Sequence, residues 1–512
     1  MGPRGIGSRG AGDVSAVGGS RESRLDTGPS GRTTRRQILR LVAVGAGGLT
    51  LAGGLSSLLA ACGSQPAAST GTATTSSAPA SAAATNTPAS AATTAPAPTN
   101  TPSTSSAAAT AAPTVAAQAT PAATPAQAAP VNNASGTLAI WHYDTNQTVV
   151  GPIGALFNKQ FPNVKLQYTY IEFSELSKKL IAAAGAKSGP DVIIYGGSDL
   201  VQMYKTGTLK SLQPYWDKYA DKGQFDVSLI TKFNNEVYGV KPYVNLVALW
   251  YNKDIIDSIG VQPPKTFDEV TPALAKVAAS GKKVVPLVLT GQPSDQGAWT
   301  AWPWLSGYGF SYDSPDQSAA ESTLTLLSGW ASKGYLPKEA VTWGQGESWQ
   351  RFTVGDVAFM QNGNWNIGPA EKQAKFKYGI VTMPTGPKNS TIYLGGEAGW
   401  LGAFSKNPDL GWSFLESAYF SQDGNLIELK ASGSIPARQD MAEVPEVSNN
   451  PLLAPFLAEV KSRGAEYPPK GGAIVDAQLI VAQNWSAVIA GQKSPSTAAK
   501  DLVAGVKAKT QS

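Results

Sequence analysis

From Gly136 onward the chain alternates between short apolar runs and stretches of helical spacing. Thr137–Trp141 is a short apolar strand candidate, and Val164–Ile171 alternates as a half-buried strand does. Between them, Ile153–Phe161 spaces its apolar residues three and four apart, which predicts a helix. Ser174 is placed to cap a helix running to about Lys187. Asp191–Tyr195 reads as a buried strand, followed by a helix that Ser198 would cap and Gly207 would close. Further on, Ser348–Thr353 has helical character up to Gly355, and Val357–Gln361 reads as another strand. Strand and helix in alternation predict an α/β fold with largely parallel sheets.

The N-terminal part has a different texture. No aromatic residue precedes Trp141, so a packed core is expected only within 141–512. No charged residue lies between Arg40 and Asp144. Residues 63–135 are nearly all Ala, Thr, Ser, Pro and Gly, which cannot bury enough apolar surface to offset the entropy of ordering. They read as a disordered stalk with an end-to-end distance of about 45 Å, lengthened by its prolines.

Charge follows the same division. Residues 1–40 carry eight Arg against Asp13, Glu22 and Asp26, which is the whole of the formal net charge of +5. The remaining 33 basic and 33 acidic residues cancel, so nothing in the folded part points to nucleic acid. One Cys and one His exclude an intrachain disulfide and leave a Cys/His zinc site short of ligands. Neither a metal nor a cofactor is expected.

Thr34-Arg35-Arg36-Gln37-Ile38-Leu39-Arg40 resembles a twin-arginine export signal, with Arg35 and Arg36 as its pair. An uncharged apolar run, Leu41 to Ala61, follows, and Leu59-Ala60-Ala61-Cys62 resembles a lipobox, in which the Cys is acylated and becomes the mature N-terminus. The run is also about long enough to span a bilayer uncleaved. The order basic, apolar, small-small-Cys, then polar low complexity, is that of a processed signal. Residues 1–62 are therefore read as a lipoprotein signal that leaves Cys62 lipidated on the outer face of the cytoplasmic membrane.

In open α/β sheets, ligands sit beyond the C-terminal ends of strands, near helix N-termini. That rule selects Trp141-His142-Tyr143-Asp144, Gly196-Gly197-Ser198-Asp199 and Asn362-Gly363-Asn364-Trp365. The loop at Gly197 and Ser198 would offer backbone N–H groups. Eight of the thirteen Trp fall from Trp299 to Trp400. An indole stacks on the apolar face of a pyranose, and amides or carboxylates bond its hydroxyls. Trp330 and Trp349, at helical spacing, read as core; Trp365, in a loop after a strand, reads as a stacking residue; Trp299 and Trp302 are candidates for either role. His142 is also open between core and contact.

The motifs Ile140-Trp141, Gly189-Pro190-Asp191-Val192, Tyr238-Gly239-Val240-Lys241-Pro242-Tyr243, Leu249-Trp250-Tyr251-Asn252-Lys253-Asp254 and Pro264-Lys265-Thr266-Phe267-Asp268-Glu269 carry a resemblance. So do Phe352 through Met360, Gly395-Gly396 with Trp400, Ser405-Lys406-Asn407 and Ile435-Pro436-Ala437-Arg438-Gln439-Asp440. In this order they resemble the extracellular solute-binding proteins of ABC importers, in the group that binds sugars and oligosaccharides. The resemblance implies a two-lobed fold of the type II periplasmic-binding-protein kind. It implies one lobe from 136–244 plus 378–428, the other from 245–377 plus 429–512, and a ligand cleft between them that closes by hinge bending. It places Tyr143, Asp144 and Thr145 in the first ligand loop, Asn245 at a crossover, Glu397 at the cleft floor, and Arg438 reaching into the cleft or held in a surface ion pair.

The implied partners are a carbohydrate, a membrane permease and a separate ATPase subunit, the chain itself acting as a monomer. The chain has no G-x-x-x-x-G-K-[ST] loop and no G-x-S-x-G elbow, and one His rules out H-E-x-x-H. An exported glycosidase using two carboxylates stays open on inventory alone. So does the same fold holding a polyamine, ferric ion or organic anion.

Overall fold

The computed structural model describes residues 132–144, 147–197, 199–388, 390–462 and 472–510. These lie within one compact unit, Gln118–Ser512. The expectations for residues 1–131, including Arg35, Arg36 and Cys62, and those for Thr145 and Ser198, fall outside the described residues. No described helix is long and apolar enough to cross a membrane.

The first lobe is built on a seven-stranded sheet in the order β2-β1-β3-β12-β6-β5, with β4 beside β12. Its strands are β1 (Gly136–His142), β2 (Val164–Tyr170), β3 (Val192–Tyr195), β4 (Leu209–Lys210), β5 (Ile230–Phe233), β6 (Glu236–Val240) and β12 (Ala398–Gly402). Alternation along β3 feeds two cores: Val192 and Ile194 join one face of the sheet, and Ile193 and Tyr195 the other. The second lobe holds the sheet β11-β8-β10-β9, made of Tyr378–Val381, Val247–Asn252, Val357–Gly363 and Val285–Val288 respectively. A single large core surrounds it. Its helices include Asp295–Gly307, buried from Gly297 onward, and Gly472–Ile489, which packs against it.

Most expected elements form, with shifted ends. The helix expected from Ile153 runs Val150–Gln160. The one expected from Ser174 runs Phe173–Gly185 and is capped by Glu172, whose carboxylate accepts from the Ser174 N–H at 2.8 Å. The next is short, Leu200–Lys205, with Asp199 at its N-cap and Gly207 beyond its end at φ +71°.

Two expectations are corrected. The sheets are mixed, not largely parallel: β1 runs parallel to β2 and β3, and β9 to β10, but β12, β5, β6, β8 and β11 pair antiparallel. β12, in the middle of the sheet, runs against both of its neighbours β3 and β6. The lobe boundary at 378 is also corrected. Tyr378–Val381 bonds to β8, and Met383, Ile392 and Tyr393 lie in the second lobe's core. The chain returns to the first lobe at Gly395–Glu397, immediately before β12.

Three crossings join the lobes side by side. β7 (Tyr243–Val244) pairs with β13 (Ile435–Pro436), tying the first crossing to the last. The Gly395 N–H donates to the Asn245 carbonyl at 2.6 Å, tying the second to the first. Gly396 has φ +101°, and a Cβ there would lie 2.2 Å from the Tyr243 oxygen. Only glycine permits this contact.

Candidate functional site

The crossings form the floor of a cavity of about 400 Å³ between the lobes. It is lined from the first lobe by Tyr143, Asp144, Phe173 and Gly197, from the second by Asp295, Gln296, Trp299 and Trp365, and from the floor by Asn245, Glu397 and Glu428.

Seven of the expected site residues meet here: Tyr143, Asp144, Gly197, Asn245, Trp299, Trp365 and Glu397. Trp365 follows β10, and its ring lies over Gly363, where a Cβ would come within 2.0 Å of it. Trp299 sits in the first turns of Asp295–Gly307, edge-to-face with Tyr393, the ring centroids 5.4 Å apart. Both indoles are half-buried. Asp144 also anchors a helix end. One of its carboxylate oxygens accepts from the N–H groups of Val149 and Val150, at 2.8 and 3.2 Å, where the helix Val150–Gln160 begins. A carboxylate is stabilised at that end of a helix.

Two expected residues lie elsewhere. Trp302 is buried in the second lobe's core, stacked on Tyr393 at 4.6 Å and on Tyr312 at 5.4 Å, and its indole N–H donates to Thr391 at 3.0 Å. Both indoles lie against Tyr393, as an i,i+3 pair on one helix face can, but Trp299 lines the cavity and Trp302 lies buried outside its lining. Arg438 does not reach the cleft. Its guanidinium is buried beside the first lobe, bonded to Asp440 at 2.7 Å, Asp221 at 3.0 Å and the Phe420 carbonyl at 2.9 Å. Trp330 and Trp349 are core, with indole N–H groups satisfied by Thr271 and Gln373.

The floor is a buried polar cluster. Tyr419 donates to the Glu397 carbonyl at 3.1 Å and lies 3.3 Å from the Tyr243 hydroxyl. The Asn245 amide is 3.5 Å from the Glu397 carboxylate. Burial pushes the Glu397 carboxyl up, while the phenols of Tyr243 and Tyr143, and then Lys241, pull it back. Glu428 is pushed up to about 8, by burial first, with the Ser432 and Ser434 hydroxyls opposing and the charges of Glu397 and Asp144 adding. Ser432 bonds one of its oxygens at 2.8 Å, and the other has no partner. Burial and the two glutamates also raise Tyr143 and Tyr243, which therefore stay protonated donors. On the opposite wall Asp295 is pushed up to about 6, by burial and then by the charges of Asp199 and Glu172 across the cleft, with its bond from the Gln296 N–H opposing. His142 is buried in the cavity wall with neither ring nitrogen bonded, and burial lowers its pKa.

Asp295, Gln296 and Glu428 are site residues that the sequence reading missed. The first two had a signal: they open a helix after β9, the same strand-end position that selected the other loops. Glu428 carried none, because it sits inside a helix, Gln422–Ala431, that faces the cleft only through the fold.

Two α/β lobes joined by three bonded crossings, with a polar and aromatic cavity over the joint, define a protein that takes a small solute between its lobes. The chain belongs to the bacterial extracellular solute-binding proteins, whose family model matches residues 153–455. A binding protein of Brucella abortus (strain 2308) is 25% identical over 363 residues, covering 68% of this chain and 86% of its own. A maltotriose-binding protein of Pyrococcus abyssi (strain GE5 / Orsay) is 23% identical over 344 residues, covering 63% and 71%. The solved GacH receptor of Streptomyces glaucescens, described unliganded and with acarbose, superposes with a TM-score of 0.67 at 24% identity, covering 74% of this chain and 99% of its own. The fold is that of the type II sugar-binding proteins.

Proposed function

We propose that this protein is the capture component of an ABC importer for a sugar or oligosaccharide. The observation that carries this reading is the pairing of two indole faces, Trp299 and Trp365, with a floor of carboxylates, phenols and an amide in one cavity. Indoles cover the apolar faces of a pyranose, and the floor supplies donors and acceptors for its hydroxyls. A ligand touching both lobes stabilises the closed form by its differential affinity, and a permease recognises that form. The sugar-binding relatives support this direction. Lipid on Cys62, after export through the Arg35-Arg36 signal, would hold the protein on the outer membrane face, with the stalk from residue 63 as tether; its expected end at 135 moves back, since Asn132 bonds the Gln160 carbonyl and Ala134 packs on the first lobe.

The test is calorimetric titration of the purified chain with a panel of mono- and oligosaccharides. Saturable binding of a sugar, without release of reducing ends, is expected. Binding of polyamine or ferric ion alone overturns the sugar reading, and released reducing ends overturn the binder reading in favour of a glycosidase. Replacing Cys62 with Ala should release the protein from membranes with ligand affinity unchanged; retention in the membrane fraction would point to an uncleaved anchor.

A further inference from the structure

Four carboxyl groups surround the cavity, and no cationic side chain lines it among the described residues. Asp144 comes from the first lobe, Asp295 from the second, and Glu397 and Glu428 from the floor. Lys241 is buried near Glu397, outside the lining, and acts on that carboxylate. Asp144 is engaged by a helix N-terminus. Glu428 is only 5% exposed, and its second oxygen has no donor. Across the cleft, Asp295 on one lobe faces Asp199 and Glu172 on the other.

This arrangement is unfavourable when empty. A buried carboxyl whose second oxygen has no partner gives up its hydration for nothing in return, and without a counter-charge burial favours its protonated form. Like charges on facing walls oppose closure. An anionic ligand would add to both penalties. A neutral sugar supplies donors but no counter-charge. Among the described residues no group of three or more His, Cys, Asp or Glu is placed to hold a metal ion. A protonated amine on a larger body supplies donor and counter-charge together, and the rings of Trp299, Trp365, Tyr143 and Phe173 in the same cavity favour a cation as well as a sugar face.

We propose that the ligand is a carbohydrate bearing a protonated amine, with its ammonium held at the Glu428 carboxylate. This rests on the carbohydrate reading above and narrows it. It has a consequence for protons. Burial keeps Glu428 protonated near neutrality in the empty protein. Glu428 faces the Ser432 and Ser434 hydroxyls and the charges of Glu397 and Asp144, and it acts on Tyr143, Tyr243 and Tyr419, while Lys241 acts on Glu397. An ammonium beside it favours the ionised form, so binding at pH 7 releases a proton.

The experiment titrates the full chain with matched pairs that differ only by amine against hydroxyl: glucosamine and glucose, galactosamine and galactose, mannosamine and mannose, and the β-1,4 dimers of glucosamine and glucose, with spermidine as a further arm. In at least one pair the amine should bind about tenfold tighter than its neutral partner, through a charge-assisted bond the hydroxyl cannot make. Its binding heat at pH 7 should depend on the ionisation enthalpy of the buffer, with the sign of proton release. In Glu428→Gln, with an unchanged circular-dichroism spectrum, the amine preference should fall to about twofold or less. Equal affinity within every pair overturns this proposal and leaves the carbohydrate reading standing. Binding of spermidine alone overturns both, and binding of no amine-bearing sugar overturns this proposal. The wild-type comparison decides the matter even if the variant fails to fold.

Discussion

Asn245 and Asn364 are joined side chain to side chain, the Asn364 amide donating to the Asn245 oxygen at 3.2 Å. One residue belongs to the first crossing and the other to the end of β10. The same Asn364 amide donates to the Gly433 carbonyl at 2.8 Å, and its oxygen accepts from the Leu246 N–H at 2.9 Å. Asn364 thus pins the first and last crossings from inside the second lobe, fully buried. Replacing it with Ala leaves Leu246 and Gly433 with buried, unpaired backbone groups. A loss of about 3 kcal/mol in unfolding free energy is expected, at roughly 1–3 kcal/mol for each group left unsatisfied. Denaturant unfolding measures it, and a loss under about 1 kcal/mol would mean that water or rearrangement replaces these bonds.

The Trp residues of Asp295–Gly307 separate ligand contact from core packing. Trp299→Ala and Trp365→Ala should each weaken ligand binding by about 1.4 kcal/mol, tenfold in Kd, with little change in melting temperature. Trp302→Ala removes a ring packed between Tyr312 and Tyr393. It should destabilise the fold by about 3–5 kcal/mol. Paired titration and unfolding of the three variants check this. The reverse pattern, with Trp302 governing affinity in a stable protein, would exchange these two roles.

How far the sequence could lead depends on what each feature needs. β1, β3 and β10 were legible because apolar runs bounded by turn residues are local signals, and the loops after them follow by rule. The return crossing was not. The partner of Tyr378–Val381, β8, lies more than a hundred residues earlier, and only pairing decides the lobe. Pro286 inside β9 weakened the strand signal, and with it the loop carrying Asp295 and Gln296. Arg438 was legible as a cation in need of acceptors, but not which acceptors the fold would bring.

Arg438 should therefore act on stability and not on affinity. Its guanidinium is 2% exposed, whereas Asp221 and Asp440 are 52% and 26% exposed, so solvent reaches both carboxylates if the Arg is removed. The main loss is the bond to the buried Phe420 carbonyl and the contact with the Phe225 ring. Arg438→Met should reduce unfolding free energy by about 2 kcal/mol, below the cost of breaking a fully buried pair because the carboxylates stay hydrated. Ligand Kd should stay within about twofold, less than 0.5 kcal/mol. A large loss of affinity with unchanged stability would return Arg438 to the cleft.

Stability should fall as pH rises from 7 to 8, and Glu428 should be the cause. Its carboxyl moves from the ordinary 4.5 to about 8 on folding, so between those values the native state holds a proton that the unfolded chain has lost. Stability falls with pH wherever the native state binds more protons. Asp295 acts with the same sign, from 3.8 to about 6, and has finished by pH 7. His142 opposes: its pKa is lowered by burial, so the unfolded chain binds the extra proton, but only up to about the ordinary 6.5. Glu397, also raised by burial, acts with the same sign, so the Glu428→Gln comparison is what assigns the fall to Glu428. The wild-type melting temperature should drop from pH 7 to 8 in the absence of ligand. Glu428→Gln should be more stable than the wild type at pH 8 and show a flatter profile. A wild-type profile that is flat or rising from pH 7 to 8 would mean that Glu428 is ionised in the empty protein.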